Sequence, residues 1–74
     1  MSKETIISMI TACKSWKIAK TGWSPARFYW KNGKIWVDSP SLLCAAPHPN
    51  QDIRSRADHV AEMIKEGFTV NFEF

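Results

Sequence analysis

Apolar positions in this chain change period several times, and each change marks an element. Over Lys3–Ser15 they recur at helical spacing, with Ile6, Met9, Ile10, Cys13 and Trp16 on one stripe. Ser2 is placed to cap that helix, with Glu4 in its first turn and Lys14 in its last, both favourable to the helix dipole. Trp16–Lys20 alternates weakly and reads as a short edge strand that ends at Thr21-Gly22, before a bend through Trp23-Ser24-Pro25.

The run from Arg27 to Val37 carries the strongest signal. Asn32-Gly33 separates two aromatic and β-branched segments, which predicts a hairpin with a two-residue turn. Both turn residues need positive φ, tolerated by Asn and natural for Gly. This turn pairs Lys31 with Lys34, Trp30 with Ile35, Tyr29 with Trp36 and Phe28 with Val37. Alternation then assigns Phe28, Trp30, Ile35 and Val37 to the core, leaving Arg27, Tyr29, Lys31, Lys34 and Trp36 on the other face. A slip of one residue would exchange the two faces.

Between Ser39 and Asn50, Pro40, Pro47 and Pro49 forbid a continuous helix, and Leu42–Ala45 reads equally as a brief strand or a helical turn. Asn50 is a cap for a second helix, with Asp52 in its first turn and Gly67 placed to stop it. Ile53, Ala57, Val60, Ala61 and Ile64 form its apolar stripe; Arg54, Asp58, His59, Glu62 and Lys65 form its wet side. Phe68–Phe74 alternates strictly and predicts a final strand with four apolar residues inward. The expected fold is α+β: one domain over 1–74, a small antiparallel sheet of three to four strands, and two helices packed on one face.

With 74 residues there is room for a single small core, and 45% hydrophobic content excludes a disordered chain. The net charge of +3 is unevenly spread: residues 1–37 carry seven basic residues against one acid, and residues 38–74 three against six. A basic side of this kind suits phosphate or an acidic protein. Cys13 and Cys44 sit among apolar neighbours and read as buried free thiols. The first apolar run is short, amphipathic and without a cleavage pattern, and no segment is long enough to span a bilayer, so a cytoplasmic protein is expected.

Candidate chemistry centres on the hairpin's basic, aromatic face. Lys31 and Lys34 face each other beside Arg27, Tyr29 and Trp36, an arrangement suited to phosphate and stacked bases. Two other readings stand beside it: a cross-strand pair covered by Trp23 or by residues 39–50, and a protein interface anchored by Trp, Tyr and Arg. Cys44 and His48 have the spacing of half a metal site, but a structural zinc site needs a second close pair, so no metal or other cofactor is expected. His48 lies between two prolines in an extended loop, and His59 sits beside Asp58; both read as surface histidines without a catalytic partner. Arg54 and Asp58 have the spacing of a surface ion pair, and Arg54 and Arg56 lie near a helix start, where phosphate is also favoured.

The order of elements, with Pro47-His48-Pro49, then Asp52-Ile53, then Val60, Ile64, Lys65 and Gly67, resembles the HicA-type toxins. These are RNA-cleaving proteins with a fold like that of double-stranded-RNA-binding domains. The resemblance covers roughly residues 2–67 and implies the same fold and contact with RNA. It does not imply cleavage, because the family's catalytic His follows a Gly at the start of the second strand, where this chain has Gly22-Trp23-Ser24. The stretch before Pro47 is also longer here, and the strand over Phe68–Phe74 is additional.

The expectation is therefore a binding module that contacts nucleic acid, RNA or single strands in particular. Tyr29 and Trp36 would stack, Arg27, Lys31 and Lys34 would hold phosphate, and Lys17 and Lys20 would extend the positive side. The alternative is an inhibitor or adaptor of the phage or mobile-element kind that binds an acidic host protein through the same face. A third reading is an RNase-like toxin using His48 or His59. The chain is expected as a monomer or a homodimer, the latter because Phe68–Phe74 would offer a second copy unpaired backbone groups if it lay at a sheet edge.

Overall fold

The computed structural model describes residues Met1–Phe74 as helix α1 (Lys3–Ala12), strands β1 (Ser15–Ala19), β2 (Ala26–Lys31), β3 (Lys34–Asp38) and β4 (Ala46–Pro47), helix α2 (Ile53–Lys65) and strand β5 (Thr69–Glu73). The fold is α+β. Its antiparallel sheet has five strands in the order β4-β3-β2-β1-β5, not three to four, because Ala46–Pro47 and Thr69–Glu73 join opposite edges. α2 connects those edges. Four strand spacings of ~4.8 Å make ~19 Å, and a helix of 13 residues at ~1.5 Å each covers the same distance.

The hairpin forms in the predicted register, Lys31 to Lys34 through Phe28 to Val37, with Arg27 opposite Asp38. Asn32 and Gly33 hold φ of 53° and 75°, the left-handed pair that this turn requires. Ile6 and Ile10 of α1 and Ala57 and Val60 of α2 share one core with Trp16, Ile18, Phe28 and Ile35, which lie on a single face of the sheet. Trp16 stacks on Phe28 with ring centroids 5.3 Å apart. Trp30, half-buried, fixes the sheet to α1 through its indole N–H, which donates to the Ile10 carbonyl at 2.9 Å.

Several local expectations change. α1 stops at Ala12 rather than Ser15, because Cys13 is already extended and Lys14 bonds sheet strands on both sides, donating to Glu73 O and accepting from Trp30 N. Lys14 thus leaves the helix's last turn, and Trp16 reaches the core from β1. β1 is an interior strand, flanked by β2 and β5. Leu42–Ala45 is neither strand nor helical turn; it bends toward the two residues of β4. The cap of α2 is Asp52, whose carboxylate accepts from Ser55 N–H at 3.1 Å, while Asn50 Oδ1 accepts from Asp52 N–H. Gly67, with φ of 94°, ends α2 in a Schellman motif: Phe68 N–H bonds Met63 O and Gly67 N–H bonds Ile64 O. Cys13 is buried but Cys44 is exposed, since the loop around it never reaches the core. Asp58 pairs with Lys3 of α1 at 2.8 Å instead of Arg54, the one ion pair in the molecule.

Candidate functional site

Opposite the helices, the sheet presents an open face built by alternation. Lys17 of β1 lies between Asn71 of β5 and Arg27 of β2, and Arg27 is followed in its row by Asp38 of β3. The next row runs Glu73, Ser15, Tyr29, Trp36 and Pro47, and beyond it Lys31 faces Lys34 beside the turn. Tyr29 and Trp36 lie side by side and half-buried, with ring centroids 6.4 Å apart and planes 29° apart. A cation covers each ring: Arg27 Cζ is 5.0 Å from the Tyr29 centroid, and Lys31 Nζ is 4.6 Å from that of Trp36. None of Lys17, Arg27, Lys31 and Lys34 has a carboxylate within ion-pair distance. Lys17 and Arg27 also line two shallow concavities, one reaching Asp38 and Ser39, the other Ser15, Asn71 and Glu73.

Six of the seven residues singled out from the sequence thus share this surface. Lys20 does not. It stands three residues after Lys17 and so falls on the opposite side of β1, a parity already present in the sequence. Its ammonium donates to the Glu66 carbonyl at 2.9 Å and lies 5.2 Å over the Phe68 ring, closing the C-terminal end of α2. Trp23 packs edge-on against Phe68 at 5.9 Å and leaves Tyr29 and Trp36 uncovered by it. Asn71 and Glu73 join the open face unforeseen, and Ser15, buried on that side, donates its hydroxyl to Glu73 Oε1 at 3.0 Å. The alternation of Phe68–Phe74 marks Asn71 and Glu73 as outward, but no local signal says that this strand lies beside β1.

A second polar cluster sits on the helix side. His48 and His59 place their rings 5.9 and 6.1 Å from that of Phe28, and neither is the freely exposed surface histidine expected. Arg56 Nη1 lies 2.8 Å from His48 Nε2. A guanidinium only donates, so Nε2 accepts; Nδ1 lies 3.0 Å from both the Asn50 carbonyl, which can take the remaining imidazole proton, and the Asn50 N–H, which points at the same atom. Burial, and then the Arg56 charge, pushes the His48 pKa below its ordinary value; burial, Arg56 and then His48 do the same for His59. Both imidazoles are therefore held neutral, and Arg56 itself is displaced downward by burial. Burial likewise raises the Cys13 thiol, an inert core group. No three His, Cys, Asp or Glu side chains are grouped to hold a metal ion, and no helix is long and apolar enough to cross a membrane. No family model, curated protein or solved structure matches this chain.

Proposed function

We propose that this chain is a nucleic-acid-binding module that contacts RNA or single strands through the open face of its sheet. The observation that carries the reading is the pair Tyr29 and Trp36, set side by side, each under a cation that no carboxylate neutralises. Base stacking on such rings contributes ~1–3 kcal/mol per base and tolerates any sequence. Arg27 and Lys31 would move from the rings to phosphate as bases take their place, with Lys17 and Lys34 extending the positive track. The resemblance in element order to RNA-cleaving toxins supports RNA as the strand bound. The absence of a histidine at Gly22-Trp23-Ser24 supports binding without cleavage.

If each of the four cations neutralises one phosphate, log K should fall with log salt at a slope of about −3 for a single strand. The test is a tryptophan-fluorescence titration with single- and double-stranded RNA and DNA at low and physiological salt. Saturable quenching that fades at this slope, and by about 0.7 less steeply in Lys34→Ala, supports the reading. Absence of saturable quenching by every nucleic acid overturns it and leaves the face to an acidic protein partner.

A further inference from the structure

We propose that the free edge of β5 pairs with β5 of a second copy of this chain, joining two five-stranded sheets into one. The two edges of the sheet are unlike. At one, β4 is two residues long and ends in Pro47, which has no N–H, and the Gln51 side chain bonds both the N–H and the C=O of the neighbouring Ile35. At the other, Thr69–Glu73 has no proline and no lysine, devices that ordinarily blunt an edge, and no strand pairs with its outer side. Glu73 O accepts from Lys14 N–H at 2.7 Å, on the β1 side. Strand alternation therefore turns the N–H and C=O of Val70 and Phe72 toward the free side.

The strand is also complementary to itself. With a two-fold axis through Asn71, Val70 meets Phe72 of the second copy, Thr69 meets Glu73, and Phe68 meets Phe74. Val70 and Phe72 then exchange both backbone bonds with their counterparts, and no charge faces a like charge. On the helix side Phe68, Val70 and Phe72 are only half-buried, and Phe74 is 61% exposed. The pairing brings Phe74 alongside Phe68, into the groove that Lys20, Trp23 (64% exposed), Met63 and Phe68 line at the start of the strand. Other registers lose this fit. A slip of two residues takes Phe74 off Phe68, a slip of four sets Glu73 against itself, and a slip of one puts the apolar strip on the wrong face. The surface thus matches its own copy across the two-fold, in backbone phase, charge and apolar relief together. On the open face the row Arg27, Lys17, Asn71 would continue into Asn71, Lys17 and Arg27 of the second copy; its use as one continuous phosphate track rests on the nucleic-acid reading, whereas the dimer does not.

The experiment is sedimentation of the full chain, without nucleic acid, over a wide concentration range. A mass twice 8.5 kDa is expected, and Phe74→Asp should raise the dimer Kd at least about tenfold with an unchanged far-UV spectrum. Register is read by crosslinking in a Cys44→Ser background under oxidised glutathione. The Asn71 pair is non-hydrogen-bonded, with Cα atoms ~4.5 Å apart, inside the range a disulfide spans. Asn71→Cys should therefore crosslink to a dimer, and Thr69→Cys alone should not. A monomer at millimolar concentration overturns the proposal, as does a dimer that crosslinks through Thr69→Cys rather than Asn71→Cys.

Discussion

Gln51 offers a quantitative test of how the hairpin is held. β4 is too short to pair with Ile35 of β3, and the Gln51 side chain stands in for the missing strand. Its Oε1 accepts from Ile35 N–H at 2.7 Å, and its Nε2 donates to Ile35 O and His48 O, each at 2.8 Å. Gln51→Ala removes three hydrogen bonds. Ile35 O keeps its bond from His48 N–H, whereas Ile35 N–H loses its partner. At ~1 kcal/mol net per bond the loss is ~3 kcal/mol. Releasing the glutamine rotamers returns ~1.5 kcal/mol, leaving a destabilisation of ~1.5 kcal/mol. For a domain of this size that lowers Tm by roughly 6–12 °C. Gln51→Glu separates the acceptor from the donor. Its carboxylate still accepts from Ile35 N–H but faces two carbonyl oxygens it cannot donate to, so at neutral pH it should melt no higher than the alanine variant. It should partly recover as the carboxyl protonates in acid. Thermal melts followed by far-UV circular dichroism decide the matter. A Gln51→Ala variant that melts with the parent would refute the strand-surrogate role.

Further expectations concern the histidines, the turn and the lysine pair. His48 and His59 have folded pKa values below the ordinary 6.5, so the unfolded chain binds more protons as pH falls. Their contribution to stability is complete above about pH 6.5 and is lost as pH drops through the folded values. Tm should therefore decline between neutral pH and mild acid, and His59→Phe should flatten the decline; a flat parent profile would contradict the assigned neutral state. Gly33→Ala meets no neighbouring atom but must hold φ near 75°, so it should cost ~1–2 kcal/mol in a denaturant titration, purely from the backbone. Lys31 and Lys34 face each other in the ladder, so Lys34→Ala in the free protein should hold or slightly raise Tm while weakening nucleic-acid binding. Loss of fold in that variant would show the lysines to be structural.

The sequence by itself determined whatever depends on near neighbours. The Asn32-Gly33 turn fixed the hairpin register and hence which face Tyr29 and Trp36 share, because a two-residue loop admits one pairing and the strand period is two. Ser2 as a cap and Gly67 as a stop were legible for the same reason: each acts on backbone groups within one turn. Errors arose where distant segments compete for a residue. Lys14 suits the last turn of a helix and Trp16 its apolar stripe, yet β2 and β5 offer their backbones more hydrogen bonds as strand. Asp52 prevailed over Asn50 as the cap through its bonds to Ser55. Only the tertiary structure decided that β1 is interior and β5 an edge, that Lys20 closes α2 while Lys17 joins the open face, and that His48 meets Arg56 over Phe28. Those outcomes rest on which strands lie side by side across four spacings of the sheet, and on the path of α2 between its edges. Hydrophobic period reports which side of a strand is wet, but it carries no information about the strand's neighbours.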